Sequence, residues 1–91
     1  MARDQETHLR PSPDVVARRL DLTGVLVHLP TNRIFELNET GIRIWELVAE
    51  GLEVERIARK VAQEFEVNDE RANEEVQTLV SQLRNEGLLE S

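Results

Sequence analysis

The chain lacks cysteine altogether. It therefore offers no disulfide framework and no thiolate metal site, and it fits a reducing compartment. Aromatic side chains are nearly absent too: Phe35, Phe65 and Trp45 are all there is. A core must be built mainly from Leu, Val, Ile and Ala. No apolar run is long enough to span a membrane. The N-terminal MARDQETHLRPSP is polar and has no apolar centre of the kind a signal peptide needs. The expectation is a cytoplasmic protein with no membrane partner.

Basic residues are short where nucleic acid would need them. Residues 1–37 balance five Lys/Arg against five Asp/Glu, whereas residues 38–91 hold six against thirteen, which is the whole net charge of −7. Each phosphate contact needs a cation, so an acidic second half argues against a nucleic-acid partner. The acids read as a solvated face that aids solubility.

The residue sets of common active sites are missing as well. His8 and His28 stand apart, with no spacing such as HExxH. Ser12, Ser81 and Ser91 have no elbow motif and no histidine placed to serve them. Glycines at 24, 41, 51 and 87 are scattered rather than gathered into a phosphate loop. Acidic pairs such as Asp69-Glu70 and Glu74-Glu75 fall on helix surfaces, where solvation is the ordinary state of a carboxylate. No catalytic residue, metal or cofactor is expected.

What is present is order: β first, α after. The 91 residues suit one domain. Residues 1–13, with Pro11 and Pro13, read as a mobile tail, and residues 14–91 as a single domain. Val15 to Leu20 is a candidate first strand. Asp21-Leu22-Thr23-Gly24 is turn chemistry, with Gly24 able to take positive φ. Val25 to Leu29 alternates as a second strand, Pro30-Thr31-Asn32 makes a second turn, and Arg33 to Leu37 is the third strand. Short turns imply an antiparallel meander, which leaves the third strand at an edge unless the first lies beside it.

Three helices follow. Asn38 is placed to cap the first, which runs to about Glu50 with Ile42, Trp45, Val48 and Ala49 on one face and Ile44 and Leu47 widening it; Gly51 stops it. Val54, Ile57, Ala58, Val61, Ala62 and Phe65 give the second its apolar stripe. Asn68 can cap the third, whose stripe is Ala72, Val76, Leu79, Val80 and Leu83, and Gly87-Leu88 is its C-terminal cap. The fold class is α+β and winged-helix-like: a three-stranded antiparallel sheet followed by three helices. A winged-helix DNA-binding regulator is thus one functional alternative. Its recognition helix would carry Asp69, Glu70, Glu74, Glu75 and Glu86 against Arg71 and Arg84, a poor match to DNA. An interaction domain for a larger enzyme is another.

FELNETGIRIWELVAEG, Phe35 to Gly51, resembles the PqqD-like family, also called the RiPP recognition element. The resemblance rests on Leu37-Asn38 with Ile44-Trp45, continues through IARKVAQEFEV and ends with Gly87-Leu88-Leu89. Two features depart from the pattern. Glu50-Gly51 precedes Glu53 where the family often has a Thr or Ser cap, and Pro30-Thr31 replaces Pro-Glu. The second departure makes the chain look more like the stand-alone recognition proteins of lasso-peptide clusters. The resemblance implies non-catalytic binding of a precursor leader peptide and a partner that is a leader protease or other modifying enzyme. It implies strand addition at Arg33, Ile34, Phe35, Glu36 and Leu37, beside a groove against the third helix. Asn73, Val76, Val80, Leu83 and Arg84 are the expected helix contributors. Taken singly, each apolar member of that set fits a core position better than a contact.

Overall fold

A computed structural model describes residues 9–90. Strand β1 (Arg10–Pro11) is followed by β2 (Val15–Leu20), β3 (Thr23–His28) and β4 (Arg33–Leu37). Helices α1 (Glu39–Ala49), α2 (Val54–Phe65) and α3 (Asp69–Asn85) come next, followed by β5 (Leu89–Glu90). Strands β2, β3 and β4 form an antiparallel sheet in that order, followed by the three helices, as expected. Helix α1 packs on β3, α2 on α1, and α3 on α2. Among the described residues no helix is long and apolar enough to cross a membrane.

The helix ends follow from their capping residues. The Asn38 side chain accepts from the Gly41 N–H at 2.8 Å, and Asn68 accepts from the Arg71 N–H at 2.7 Å. Two helices end in the same paired-bond motif. Leu52 N–H donates to the Leu47 carbonyl and Gly51 N–H to Val48; Leu88 N–H donates to Leu83 and Gly87 N–H to Arg84. Gly51 and Gly87 take the required positive φ, and Leu88 is wholly buried.

Two expectations need correction. Gly24 is not a turn residue. The β2–β3 turn is Asp21-Leu22, with Asp21 in the left-handed region, and Gly24 is buried inside β3 opposite Leu37. A Cβ there would fall on the Ile42 side chain, so the absent side chain is what lets α1 lie on the sheet. Nor does a tail extend to residue 13. Residues 1–8 lie outside the described residues, but Leu9 is buried and β1 pairs with β5, Arg10 opposite Glu90. Ser12 N–H donates to the Leu88 carbonyl at 2.9 Å. Smaller differences are that β3 ends at His28, leaving Leu29 exposed, and that Ala49 faces solvent.

The acids are more than a solvated face. Arg19 on β2 holds Glu46 on α1 through two bonds of 2.8 and 2.9 Å. Arg43 on α1 holds Glu64 on α2 through bonds of 2.8 and 3.0 Å. Sheet, first helix and second helix are thereby linked in series. The hydrogen bonds from Arg19 and Arg43 lower the carboxyl pKa values of Glu46 and Glu64, respectively, while partial burial opposes the shift.

Gly24→Ala is expected to lower stability by about 1–3 kcal/mol, as overpacking does. Ile42→Val in the same chain should recover part of it, which a double-mutant cycle of urea unfolding measures. Lowered carboxyl pKa values add stability above the ordinary glutamate pKa of about 4.3 and lose it as pH falls through the lowered values. Glu46→Gln should therefore unfold more easily than the parent at pH 7. The gap should close in acid, below about pH 4.

Candidate peptide-docking site

Strand β4 is the end of its sheet, and its main-chain polarity can be worked out from the ladder. Leu29 N–H donates to the Asp14 carbonyl at 2.9 Å. Direction alternates along an antiparallel strand, so Val27 and Val25 also turn their main-chain groups to β2. Gly24, Leu26 and His28 turn to β4, where their partners are Leu37, Phe35 and Arg33. The N–H and C=O groups of Ile34 and Glu36 therefore point away from the sheet. Among the described residues no strand pairs with them.

The side chains of β4 alternate in the same way. Leu37 is buried and Phe35 half-buried on the inner face; Ile34, at 66% exposure, and Glu36 lie on the outer face. Arg33 extends to α3, where a nitrogen of its guanidinium stands 2.7 Å from Glu86. The same guanidinium lies 4.8 Å from the centre of the Phe35 ring.

Beside the free edge runs a groove of about 570 Å³, within the range of ligand-sized sites. One side is Glu36, Leu37 and the first two turns of α1, including Thr40, Gly41 and Ile44. The other side is the α3 row Arg71, Glu74, Glu75, Thr78, Leu79 and Gln82. Ile44 is almost wholly buried and Leu79 half-buried, so apolar atoms lie between polar walls. The site is made by a strand edge and a helix face rather than by a reactive constellation. Among the described residues no cluster of His, Cys, Asp or Glu is set to hold a metal ion.

The expected residues divide. Arg33, Ile34, Phe35, Glu36 and Leu37 form the edge strand, with Glu36 and Leu37 in the groove wall. The α3 set is placed differently from the expectation and is corrected here. Val76, Val80 and Leu83 are buried at 0, 5 and 4% exposure, because that stripe faces the core. Asn73 lines a smaller cleft against α2, with Glu55, Ala58 and Arg59. Arg84 is exposed and does not line the groove. Helix α3 is turned so that the row beside the core stripe, 71-75-78-82 with Leu79, meets the groove. The partial burial of Leu79 is the mark of that face. Sequence reasoning passed over Thr78 and Gln82, whose only signal was the i, i+3, i+4 spacing from Glu75 and Leu79.

An open sheet edge, a backing helix α1 and a facing helix α3 define a small α+β domain with a groove along one side of its sheet. Residues 23–89 match the family described as Coenzyme PQQ synthesis protein D (PqqD), and the chain belongs to that family. Among solved structures, TbiB1 in complex with the TbiA(beta) leader peptide is 33% identical over 90% of this chain and 95% of its own, with a TM-score of 0.83. Lasso peptide synthetase B1 complexed with the leader peptide shares the fold at 23% identity over 92% of this chain and 99% of its own, with a TM-score of 0.83. So does the PqqD truncation of Methylobacterium extorquens PqqCD, a stand-alone RiPP recognition element, at 21% identity over 92% and 89% and a TM-score of 0.75. No curated protein sequence matches the chain.

Val80→Asp tests the placement of the α3 stripe. A buried, unpaired carboxylate at 5% exposure is expected to destabilise the protein by roughly 3 kcal/mol or more. Thermal unfolding measures it, and a near-parental midpoint would put Val80 at the surface.

Proposed function

We propose that the chain recognises the leader region of a ribosomally made precursor peptide and presents it to a separate leader protease or other modifying enzyme. The observation that carries this reading is the free edge of β4, with the outward main-chain groups of Ile34 and Glu36 beside the groove. A leader adds as an antiparallel strand. Two donors and two acceptors of β4 then gain partners, giving affinity that tolerates sequence variation. The leader's alternate side chains enter the groove between β4 and α3. Membership of the PqqD family and the 33% identity to a protein solved with its leader support the reading.

The role is binding rather than catalysis. The groove walls present carboxylates, hydroxyls and amides of surface residues, and affinity for a flexible peptide is what such walls and a strand edge can supply. A stand-alone protein working beside a separate enzyme, as in lasso-peptide systems, is the arrangement we favour. Its site of action is the cytoplasm, where precursor peptides leave the ribosome. A DNA-binding role fits poorly, since the exposed face of α3 along the groove carries Glu74 and Glu75 against Arg71.

Glu36→Pro is the direct test. Proline removes an N–H that points away from the sheet, so the β3–β4 ladder keeps its bonds. Fluorescence titration with labelled TbiA(beta) leader peptide is expected to show binding by the parent protein and a roughly tenfold loss in the variant. The unfolding midpoint should stay near that of the parent. Equal affinity in a folded variant would sink the edge-docking mechanism.

A further inference from the structure

The charge around the free edge is one-sided. Among the described residues, Glu36, Glu74 and Glu75 line the groove against Arg71 alone. Arg71 lies 3.9 Å from Glu75, so part of its charge is already answered within the wall. Among the described residues, the other cation on this flank is Arg33, the first residue of β4. It is held at 2.7 Å by Glu86 and stacked over Phe35, so it adds no free positive charge.

The geometry gives these carboxylates two different reaches. Glu36 belongs to the outer face of the sheet, in register with Val25. Glu74 and Glu75 belong to α3, across the groove from β4. A strand laid against β4 sends alternate side chains to the outer face and into the groove. Those on the outer face pass Glu36 as cross-strand or diagonal neighbours. Those pointing inward meet Leu79 and the two α3 carboxylates in the groove wall. An added strand thus meets negative charge on both of its faces, with apolar contact between.

Resting on the leader-binding reading, we propose that the groove selects cationic segments. Its substrate class is an extended peptide with Lys or Arg where it passes Glu36, Glu74 and Glu75, and an apolar side chain between them for Leu79. An acidic segment of equal strand propensity is rejected, because each of its carboxylates would face a like charge in the wall. The main-chain bonds hold any extended chain; the carboxylates decide which one stays.

The test uses the whole protein and a display library of random 12-residue peptides as the probe. It is run on the parent, on the triple variant Glu36→Gln, Glu74→Gln, Glu75→Gln, and on Glu36→Pro. The glutamines keep size and main chain, and the rest of the acidic surface is untouched. A general attraction of a −7 protein for cations therefore persists in the triple variant, whereas a groove effect does not. The expected result is enrichment of Lys and Arg at fixed positions beside an apolar residue with the parent, lost with the triple variant. A synthetic copy of the enriched peptide should bind the triple variant about tenfold more weakly at low salt, and that difference should shrink in 0.5 M KCl. If the parent and triple variant enrich the same uncharged strand-forming peptides, and Glu36→Pro enriches none, the cationic preference is overturned and edge docking stands. If Glu36→Pro enriches the same peptides as the parent, or no protein enriches any, the leader-binding reading falls and the preference with it.

Discussion

Helix α1 rests directly on β3 because Gly24 has no side chain. Any Cβ there would meet Ile42, which is buried to 1% exposure and has nowhere to move. The rest of the arrangement depends on this close approach. Leu37 leads through a single residue, Asn38, into α1, so the chain leaves β4 over the inner face of the sheet rather than along its edge. Helices α2 and α3 then stack behind α1. Helix α3 comes back towards β4 at its C-terminal end, where Glu86 meets Arg33. Among the described residues nothing pairs with the remainder of the strand's flank, and the groove runs beside it.

Much of this was legible in the sequence because it is local. Asn38 and Asn68 are caps wherever a polar side chain precedes an apolar periodic run, and Gly51-Leu52 and Gly87-Leu88 are stops for the same reason. The short turns between the strands placed β4 at an edge. What could not be read is tertiary. The strands β1 and β5 are two residues each, too short for any period, and exist because burial of Leu9, Leu88 and Leu89 brings the two ends together. Gly24 offered a turn signal and a close-packing signal with the same letter; only the position of Ile42 distinguishes them. The stripe on α3 was correctly found, but a stripe has two flanks. Periodicity says that Val76 and Val80 share a face with Ala72, and not which neighbouring row turns to β4.

The carboxylates illustrate a different limit. Composition treats them as interchangeable solubility groups. In the fold, Glu46 and Glu64 take two-pronged bonds from Arg19 and Arg43 that join β2, α1 and α2. Exposed ion pairs of this kind are worth little each, about 0–1 kcal/mol. Their two-point geometry still fixes how one layer sits on the next, and three layers are fixed by two such pairs sharing α1. The carboxylates along the groove belong to another population. Glu36 and Glu74 lie where an added strand would pass, and among the described residues no arginine holds them in the same way.

The residues that place this chain in its family and the residues that would meet its ligand are therefore different sets, for a physical reason. Asn38, Gly41 and Trp45 hold the strand-to-helix junction: a cap, a buried glycine whose Cβ would crowd Leu37, and a core anchor. They must be these residue types because each fits a packed or hydrogen-bonded position. On the proposed reading, strand β4 offers a ligand main-chain N–H and C=O groups, of which proline alone lacks the N–H. Recognition through an edge thus leaves the outward side chains Ile34 and Glu36 free of architectural duty. Discrimination between ligands must then come from side chains that line the opening without building it. On α3 those are Glu74, Glu75, Thr78 and Gln82, a polar row that the core does not constrain. A fold of this design can keep one scaffold and change its peptide by changing that row alone.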